Sequence, residues 1–217
     1  MQLCILLPPS QAKTTGGEHP PLTHPHEITK ELLKEIHQAN PDKLYSGRKQ
    51  EAHQLNNNAL HAPTRQAIKR YNGVLYKALN YHELTNKHYI QEHVRIVSAL
   101  FGLIKATKHI PNYKLRITKL RAYKRWHTHN TQQLTSYYVL DLLAQAQRKA
   151  VDYPQGTQIE FTKEKNGQTI KAGHAGKHIK GRYVRWLAEN NITNPQDIYA
   201  FNEDGYSWNG KTFHKPA

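Results

Sequence analysis

The chain has 217 residues, enough to bury a substantial core in one large domain or in one domain with a small appendage. Its formal net charge of +15 indicates polyanionic partners, of which nucleic acid is the first to consider. A mean hydropathy of −0.82 is low, but apolar residues recur along the whole length, which excludes general disorder.

Two cellular settings are disfavoured by the sequence. No apolar run is long enough to cross a bilayer, and the first residues lack the cationic segment and the uninterrupted apolar stretch of a signal peptide. Cys4 is the only cysteine, so no intrachain disulfide can form. Within an apolar strand, Cys4 is expected to be a small core residue. We therefore expect a cytoplasmic protein without membrane contact.

The first half of the chain predicts strands and helices in irregular order. Residues 3–7 predict a buried strand, and residues 27–39 carry apolar side chains at helical spacing. Residues 74–79 fit a strand or a helix equally well. Residues 94–100 are apolar and β-branched, which is typical of a buried strand.

In the second half, residues 134–148 predict a helix, because Leu, Tyr, Leu and Ala recur on one helical face. Residues 158–172 predict a β-hairpin with its turn at Asn166-Gly167. Gly181 is expected to introduce a further helix. Strands and helices do not alternate strictly, so the predicted fold class is α+β, in a single domain over residues 1–217.

Two segments of the chain contain cations but neither Asp nor Glu. Residues 94–139 carry nine Lys or Arg side chains, interleaved with aromatic residues, and residues 171–186 form the second acid-free run. Like charges left unrelieved within a segment favour a surface that an anion neutralises. We expect Lys177 and Lys180 to flank free backbone amides near Gly181 and to hold a backbone phosphate there.

The first loop, in "LLPPSQAKT", presents Ser10, Lys13 and Thr14 after a strand. A nucleotide triphosphate loop needs glycines that let its backbone wrap the phosphates, and this loop has none. Pro8 and Pro9 also remove N–H donors. The residues alone leave two alternatives, an incidental surface lysine and a strand-end loop that grips an anion.

Four ordered stretches, "LLPPSQAKT", "APTRQAIKRYNGVLYKAL", "VSALFGLIKATKHIPNYKL" and "GKHIKGRYVRWL", together with the closing "FNEDGYSWNG", resemble the YaaA family of peroxide-stress proteins. The resemblance spans essentially the whole chain and is closest to the actinobacterial-type members. It implies an α+β domain with a basic cleft and a helix–hairpin–helix-like element that binds DNA. It also implies a role in limiting oxidative DNA damage and free iron.

The resemblance also implies which positions matter. Matched motif residues include Tyr71, Gly73, Tyr76, Ser98, Gly102, Pro111 and Tyr113. Combined with the charge pattern, it gives a predicted nucleic-acid-binding set of Ser10, Lys13, Thr14, Lys105, Lys108, Lys114, Lys177, Lys180, Gly181, Arg182 and Arg185.

The sequence also departs from the family pattern. Gln11-Ala12 replaces the usual Glu-Gly of the first loop, Arg116 stands at a position that is often acidic or small, and residues 150–156 look shortened. Lost carboxylates weaken a prediction of acid–base chemistry more than one of DNA binding, which depends on cations.

The fifteen histidines invite a metal hypothesis, but their close pairs lack a cysteine or carboxylate to complete a ligand set. We therefore predict no metal and no cofactor. His174, beside Lys177, is expected to contact phosphate or base, and it joins Lys13 as a candidate catalytic residue.

We expect a monomer that binds double-stranded or structured DNA, with room for a flipped base or nucleotide. The alternative from another class is a glycosylase-like or lyase-like enzyme with Lys13 in its active site. An iron-sequestering protein is the third hypothesis, and the shortage of cysteines and clustered carboxylates disfavours it.

Overall fold

A five-stranded sheet organises the fold in the computed structural model, which describes residues 1–217. Three sheets and nine α-helices make the chain a mixed α/β structure. The strands are β1 Gln2–Leu7, β2 Arg65–Gln66, β3 Val94–Ser98, β4 Gly102–Lys105, β5 His109–Ile110, β6 Tyr137–Asp141, β7 Gly156–Gln158, β8 Phe161–Lys165, β9 Gln168–Lys171, β10 Ser207–Trp208 and β11 Phe213–Lys215.

The helices range from one turn to seventeen residues. They are α1 Glu27–Gln38, α2 Pro41–Leu44, α3 Lys49–Asn57, α4 Ala67–Arg70, α5 Val74–Leu79, α6 Lys87–His93, α7 Ala122–Gln132, α8 Gln145–Arg148 and α9 Gly173–Glu189, with short 3₁₀ turns at Lys119–Arg121 and Asp197–Ala200. Residues 74–79, for which the sequence left two alternatives, are helical. None of the helices combines the length and apolar character that crossing a bilayer requires.

Strand β1 lies in the middle of the main sheet, whose order is β4-β3-β1-β6-β7. It pairs in parallel with both β3 and β6, β7 is parallel to β6, and only β4 runs antiparallel at its edge. Strands inside a parallel sheet are covered on both faces and therefore contain nearly continuous apolar runs. Residues 3–7 are all buried, as the sequence predicts for this strand.

The second sheet has the order β10-β11-β8-β9, and β2 pairs with β5 as a separate ribbon. Strands β8 and β9 form the predicted hairpin. Asn166 and Gly167 both adopt positive φ angles, 52° and 72°, as a tight two-residue hairpin turn requires. The hairpin prediction is confirmed.

The predicted helix over residues 134–148 is wrong. Residues Tyr137–Asp141 form β6, a strand beside β1, and only Gln145–Arg148 is helical. The spacing of apolar residues there matches a helix by coincidence. Aromatic and β-branched side chains in "YYVL" favour a strand, and a fully buried strand has no alternation to reveal it.

The predicted helix start at Gly181 is also wrong. Helix α9 begins at Gly173, and Gly181 lies in its interior, buried against α5. A Cβ atom built on Gly181 would lie 2.2 Å from the carbonyl oxygen of Leu75. The glycine therefore permits close packing of two helices and does not leave backbone amides free.

Apolar side chains from most elements join in one cluster of 55 buried residues. Cys4 belongs to it, with 1% of its surface exposed, which confirms it as a core residue. Burial raises the pKa of the Cys4 thiol to about 12.

Candidate functional site

A cleft of about 880 Å³ opens beside the carboxyl ends of β1 and β6. This edge of a parallel sheet is where ligands commonly bind, because strand-end loops and helix N-termini meet there. The cleft is lined by residues from the loop after β1 (8–12), the start of α5 (73–76), the segment after β6 (143–148), the approach to β8 (158–161) and the start of α9 (171–180).

In the loop after β1, four backbone carbonyl groups are hydrogen-bonded within the protein, whereas three backbone N–H groups are not. The Pro8 carbonyl accepts a hydrogen bond from the Tyr76 hydroxyl (2.8 Å), and the Ser10 carbonyl accepts one from Lys13 Nζ (2.9 Å). The Gln11 carbonyl accepts from Lys114 Nζ (2.7 Å), and the Ala12 carbonyl accepts from the Asn72 amide (3.0 Å). By contrast, the N–H groups of residues 10–12 donate to no protein acceptor. Free amides with bound carbonyls favour an anionic ligand.

Gly73 lets this loop approach α5 closely. A Cβ atom on Gly73 would lie 2.3 Å from the Ser10 hydroxyl oxygen, so any larger residue would displace the serine side chain. The matched motif residues Gly73 and Tyr76 therefore act on the first loop, one by leaving space and the other by binding the Pro8 carbonyl.

Helix α9 directs its N-terminus at the same cleft. The Ala172 amide donates to the Phe161 carbonyl, and no side chain caps the helix. The amides of residues 173–175 have no backbone acceptor, and the helix dipole places partial positive charge there.

Four cationic side chains and one carboxylate line the cleft. Lys177 is exposed, and Lys180 is half-buried one turn further along α9. Lys171 pairs with Glu160 at 3.0 Å, and Glu160 is the only acidic residue in the lining. The fourth cation, Arg148, donates from Nε to a carboxylate oxygen of buried Asp141 at 2.6 Å.

Lys180 has an unusual environment for a lysine. Its amine donates to the Leu142 carbonyl oxygen at 2.7 Å and contacts no carboxylate within 4.0 Å. Burial, followed by the charge of Arg148, lowers the pKa of Lys180 to about 8, against weaker opposing effects of Asp141 and Glu160.

Lys13 lies behind the loop and does not line the cleft. Its amine is 4.2 Å from the ring centroid of Tyr113 and 5.3 Å from that of Tyr71. Burial lowers the pKa of Lys13 to about 7, and the charges of Lys114 and Arg70 add to this effect. The amine is thus held against aromatic faces, with Ser10 between it and the cleft.

The two tyrosines that contact Lys13 belong to a hydrogen-bonded chain of three hydroxyl groups. The Tyr71 and Tyr113 hydroxyl oxygens are 2.8 Å apart, and the Tyr113 hydroxyl is 2.9 Å from Ser98 Oγ at the end of β3. All three residues are buried motif positions, Tyr71 from the second matched stretch and Ser98 and Tyr113 from the third. The blocks that the resemblance singled out therefore meet around the first loop.

Arg70 fixes the far end of that loop. This fully buried arginine donates to the carbonyl groups of Thr14 and Gly16 at 2.6 Å, and to those of Ile110 and Pro63 at 3.2 Å. Burial lowers the pKa of Arg70 to about 10. The Thr14 hydroxyl donates to the Lys69 carbonyl and lies outside the cleft.

Of the predicted binding residues, the structure brings Ser10, Lys177 and Lys180 together in the cleft. Lys114 lies on the outer side of the first loop, in a second cavity of about 320 Å³. Lys105 and Lys108 are exposed near the edge strand β4 and do not line the cleft.

The acid-free segments are partly neutralised by acids from elsewhere in the chain. Arg182 pairs with Glu203 at 2.7 Å, and Arg185 pairs with Glu189 at 2.7 Å. Arg125 pairs with two glutamates of α1, Glu31 and Glu35. Within each segment no acid offsets the positive charge, as expected. In the folded protein, however, acids from outside the segments pair with these arginines.

The histidines are dispersed in the fold. His174 is exposed in the first turn of α9, outside the cleft lining. His26 and His129 lie 4.6 Å apart between ring centroids, and His26 packs against Trp126 at 5.1 Å. The chain brings no three His, Cys, Asp or Glu side chains together in metal-ligand geometry.

Sequence reasoning missed several residues of the cleft. The sequence patterns put Arg148 in a predicted helix and Glu160 in a predicted hairpin, and Lys171 both in that hairpin and at the start of an acid-free run. None of these patterns associates the three residues with the first loop. Only the pairing of β6 with β1 brings these segments beside Ser10. The aromatic and β-branched residues at 137–141 indicate a strand, but nothing in the sequence shows which strand pairs with it.

Fold and site together define a mixed α/β protein with a cleft at the carboxyl ends of its central strands. The sequence profile of the family described as "Peroxide stress protein YaaA" matches residues 3–212. The chain therefore belongs to the YaaA family, as its motifs predict.

Curated relatives agree with this assignment. A UPF0246 protein of Corynebacterium efficiens is 31% identical over 211 residues, covering 86% of this chain and 85% of the relative. A UPF0246 protein of Corynebacterium glutamicum is 30% identical over 222 residues, covering 90% of each. A Francisella tularensis UPF0246 protein is 30% identical over 162 residues, covering 66% of this chain and 64% of the relative.

Proposed function

We propose that this protein binds DNA through its phosphate backbone in the cleft, with little sequence specificity, and thereby helps to protect DNA from oxidative damage. One observation carries the proposal. Free amides of residues 10–12, the uncapped N-terminus of α9 and the amines of Lys177 and Lys180 meet at a single cleft. Amides and lysines bind phosphate without distinguishing bases.

The balance of charge in the cleft supports an anionic ligand. Four cationic side chains face one carboxylate, and neither lysine of α9 has a carboxylate partner. The net formal charge of +15 would attract a polyanion from a distance and raise its association rate. The description of the family as peroxide-stress proteins supports DNA protection as the context.

The helix–hairpin–helix-like element that the resemblance implies is assigned, in this proposal, to α8, the β8–β9 hairpin and α9. These elements occur in this order in the chain, with β7 between α8 and β8, and contribute Arg148, Lys171 and Lys177 to the cleft. Arg182 and Arg185 are left out of the proposed contacts, because carboxylates of the same chain already pair with them.

The test is the salt dependence of duplex binding. The double variant Lys177→Ala, Lys180→Ala should weaken binding about equally for unrelated sequences and flatten the plot of log K against log salt by roughly one to two units. Affinity is measured by fluorescence anisotropy with two unrelated duplexes between about 50 and 200 mM salt.

The matched control is Lys34→Ala, Lys211→Ala, which removes two exposed amines away from the cleft. A slope that falls as much in the control as in the cleft variant would contradict the proposed site. Absence of duplex binding by the wild-type protein would reject the function.

A further inference from the structure

Lys180 differs from every other cation of the cleft. Lys171 is engaged by Glu160, Arg148 is engaged by Asp141, and Lys177 is exposed. Lys180 is half-buried like Arg148, but no carboxylate pairs with its amine, which donates to a neutral carbonyl group. A carbonyl acceptor stabilises a charged amine much less than a carboxylate does, so this amine can lose its proton at low cost.

We propose that the Lys180 amine is a nucleophile that forms an imine with the ring-opened sugar aldehyde of an abasic site in DNA. The proposal rests on the proposed function, because the phosphates next to the abasic sugar would occupy the free amides and Lys177, which leaves Lys180 for the sugar. It adds a covalent step that phosphate binding alone does not include.

The step is balanced without any further reactant. The neutral amine attacks the aldehyde carbon, a C–N bond forms, and the carbonyl oxygen takes up a proton to give a carbinolamine. Loss of the hydroxyl group as water, with the second amine hydrogen, leaves the imine. No oxidant, reductant or metal takes part.

The charged groups around the amine set its protonation. Arg148 and Lys171 oppose the charged form, whereas Asp141 and Glu160 favour it but are themselves bound to those two cations. With the pKa of Lys180 lowered to about 8, roughly a quarter of the amine is neutral at pH 7.5, against roughly a thousandth for an unperturbed lysine.

The cleft also has the space and the surface for an extruded sugar. Its volume of about 880 Å³ lies in the range of small-ligand sites, roughly 300–1,000 Å³. Leu143, Ile159, Phe161 and Tyr76 contribute apolar surface to its lining. An abasic site has no base to unstack, so its sugar leaves the duplex at a low energetic cost.

Lys13, the candidate nucleophile of the alternative enzymatic hypothesis, is less well placed for this step. Its amine faces the rings of Tyr71 and Tyr113 and donates to the Ser10 carbonyl, behind the loop that lines the cleft. The two lysines therefore make separate predictions, which one experiment distinguishes.

The experiment is reductive trapping. Wild-type protein is incubated with a labelled duplex containing one abasic site and with sodium borohydride, which adds hydride to the imine and makes the bond permanent. The covalent adduct is quantified on a denaturing gel, divided by the non-covalent complex formed without borohydride, and mapped by peptide mass spectrometry.

Lys180→Arg, which keeps the positive charge but cannot form an imine, should lower the adduct per complex at least about 20-fold. Lys34→Arg, an exposed lysine of α1, should leave it within about 2-fold. The wild-type yield should rise between pH 7 and pH 9 as the amine loses its proton. Adduct mapped to Lys180 supports the proposal, whereas full adduct in Lys180→Arg, or adduct lost only in Lys13→Arg, overturns it.

Two further arms separate this proposal from the function on which it rests. Binding of the wild type to an intact duplex, without an abasic site, tests nucleic-acid binding alone. If that duplex binds and the abasic duplex gives no adduct, the nucleophile is rejected and the binding function stands. If deoxyribose 5-phosphate is trapped on Lys180 and neither duplex binds, the reactive amine stands and DNA is rejected as its ligand.

Discussion

At the scale of single residues, the first loop is held by donors from distant parts of the chain. Tyr76, Lys114 and Arg70 bind carbonyl groups of this loop, and each comes from a different segment. In such contacts the donors lose their hydrogen bonds to water. For an amine that is buried without a carboxylate partner, this loss makes the charged form unfavourable. Lys13 is the residue at which this cost is largest.

We expect Lys13 to give stability a measurable pH dependence. Its pKa of about 7 in the folded protein lies below its ordinary value of 10.5, so between these values the unfolded chain binds the additional proton. The free energy of unfolding should therefore rise with pH across this window. Below pH 7 the folded protein bears the full free-energy cost of burying the charged Lys13 amine. Relative to Lys13→Met, the wild type should gain roughly 2 kcal/mol between pH 7.5 and 9.5.

The measurement is urea denaturation of both proteins at several pH values. Lys105→Met, which removes an exposed amine at the end of β4, is the control, and its curve should run parallel to that of the wild type. A constant difference between wild type and Lys13→Met across the window would show that the amine is not shielded from water.

At the scale of elements, the sequence predicted β1, α1, β3 and the β8–β9 hairpin, because each has local evidence in periodicity or turn residues. It failed for β6 and for the start of α9. A strand buried on both faces has no alternation to reveal it, and helix α9 begins in "AGHAGKHIKG", where three glycines obscure the first turns.

Helix α9 depends on Gly181 for its distance from α5. An added methyl group would meet backbone atoms of α5, at 2.2 Å from the Leu75 oxygen and 2.9 Å from the Leu79 nitrogen, and backbone cannot move aside as a side chain can. Gly181→Ala should therefore destabilise the protein by about 1–3 kcal/mol.

Gly47→Ala is the matched control, since a Cβ atom there meets nothing within 4 Å, and its effect should stay within about 0.5 kcal/mol. Both changes are measured by chemical denaturation at constant m-value. Equal stability of the two variants would mean that α5 and α9 can separate without loss.

At the scale of the whole molecule, the sequence identified the excess of positive charge but not its distribution. Lys177 and Lys180 could be predicted as cleft residues from their acid-free segment and the family motif. Arg148, Lys171 and Glu160 could not, because their place depends on which strands are neighbours in the sheet. Ion pairs between residues far apart in the sequence, such as Arg182–Glu203, cannot be predicted from the sequence for the same reason.

The distribution of ion pairs makes a separate prediction for Arg182 and Arg185. Since Glu203 and Glu189 already neutralise these arginines, Arg182→Ala, Arg185→Ala should leave the salt slope of duplex binding within about 0.5 units of the wild type. The cleft variant Lys177→Ala, Lys180→Ala removes the same formal charge. Equal flattening of the slope in both variants would show that total charge, rather than the cleft, governs binding.

The placement of Cys4 has a consequence for a protein of a peroxide-stress family. Peroxides and alkylating reagents attack thiolates, and burial in the central strand raises the pKa of the Cys4 thiol to about 12, which keeps the thiol protonated at neutral pH. The folded protein thus shields its single thiol from oxidants. Sulfenic acid detected at Cys4 would therefore identify molecules in which β1 had separated from the neighbouring strands β3 and β6.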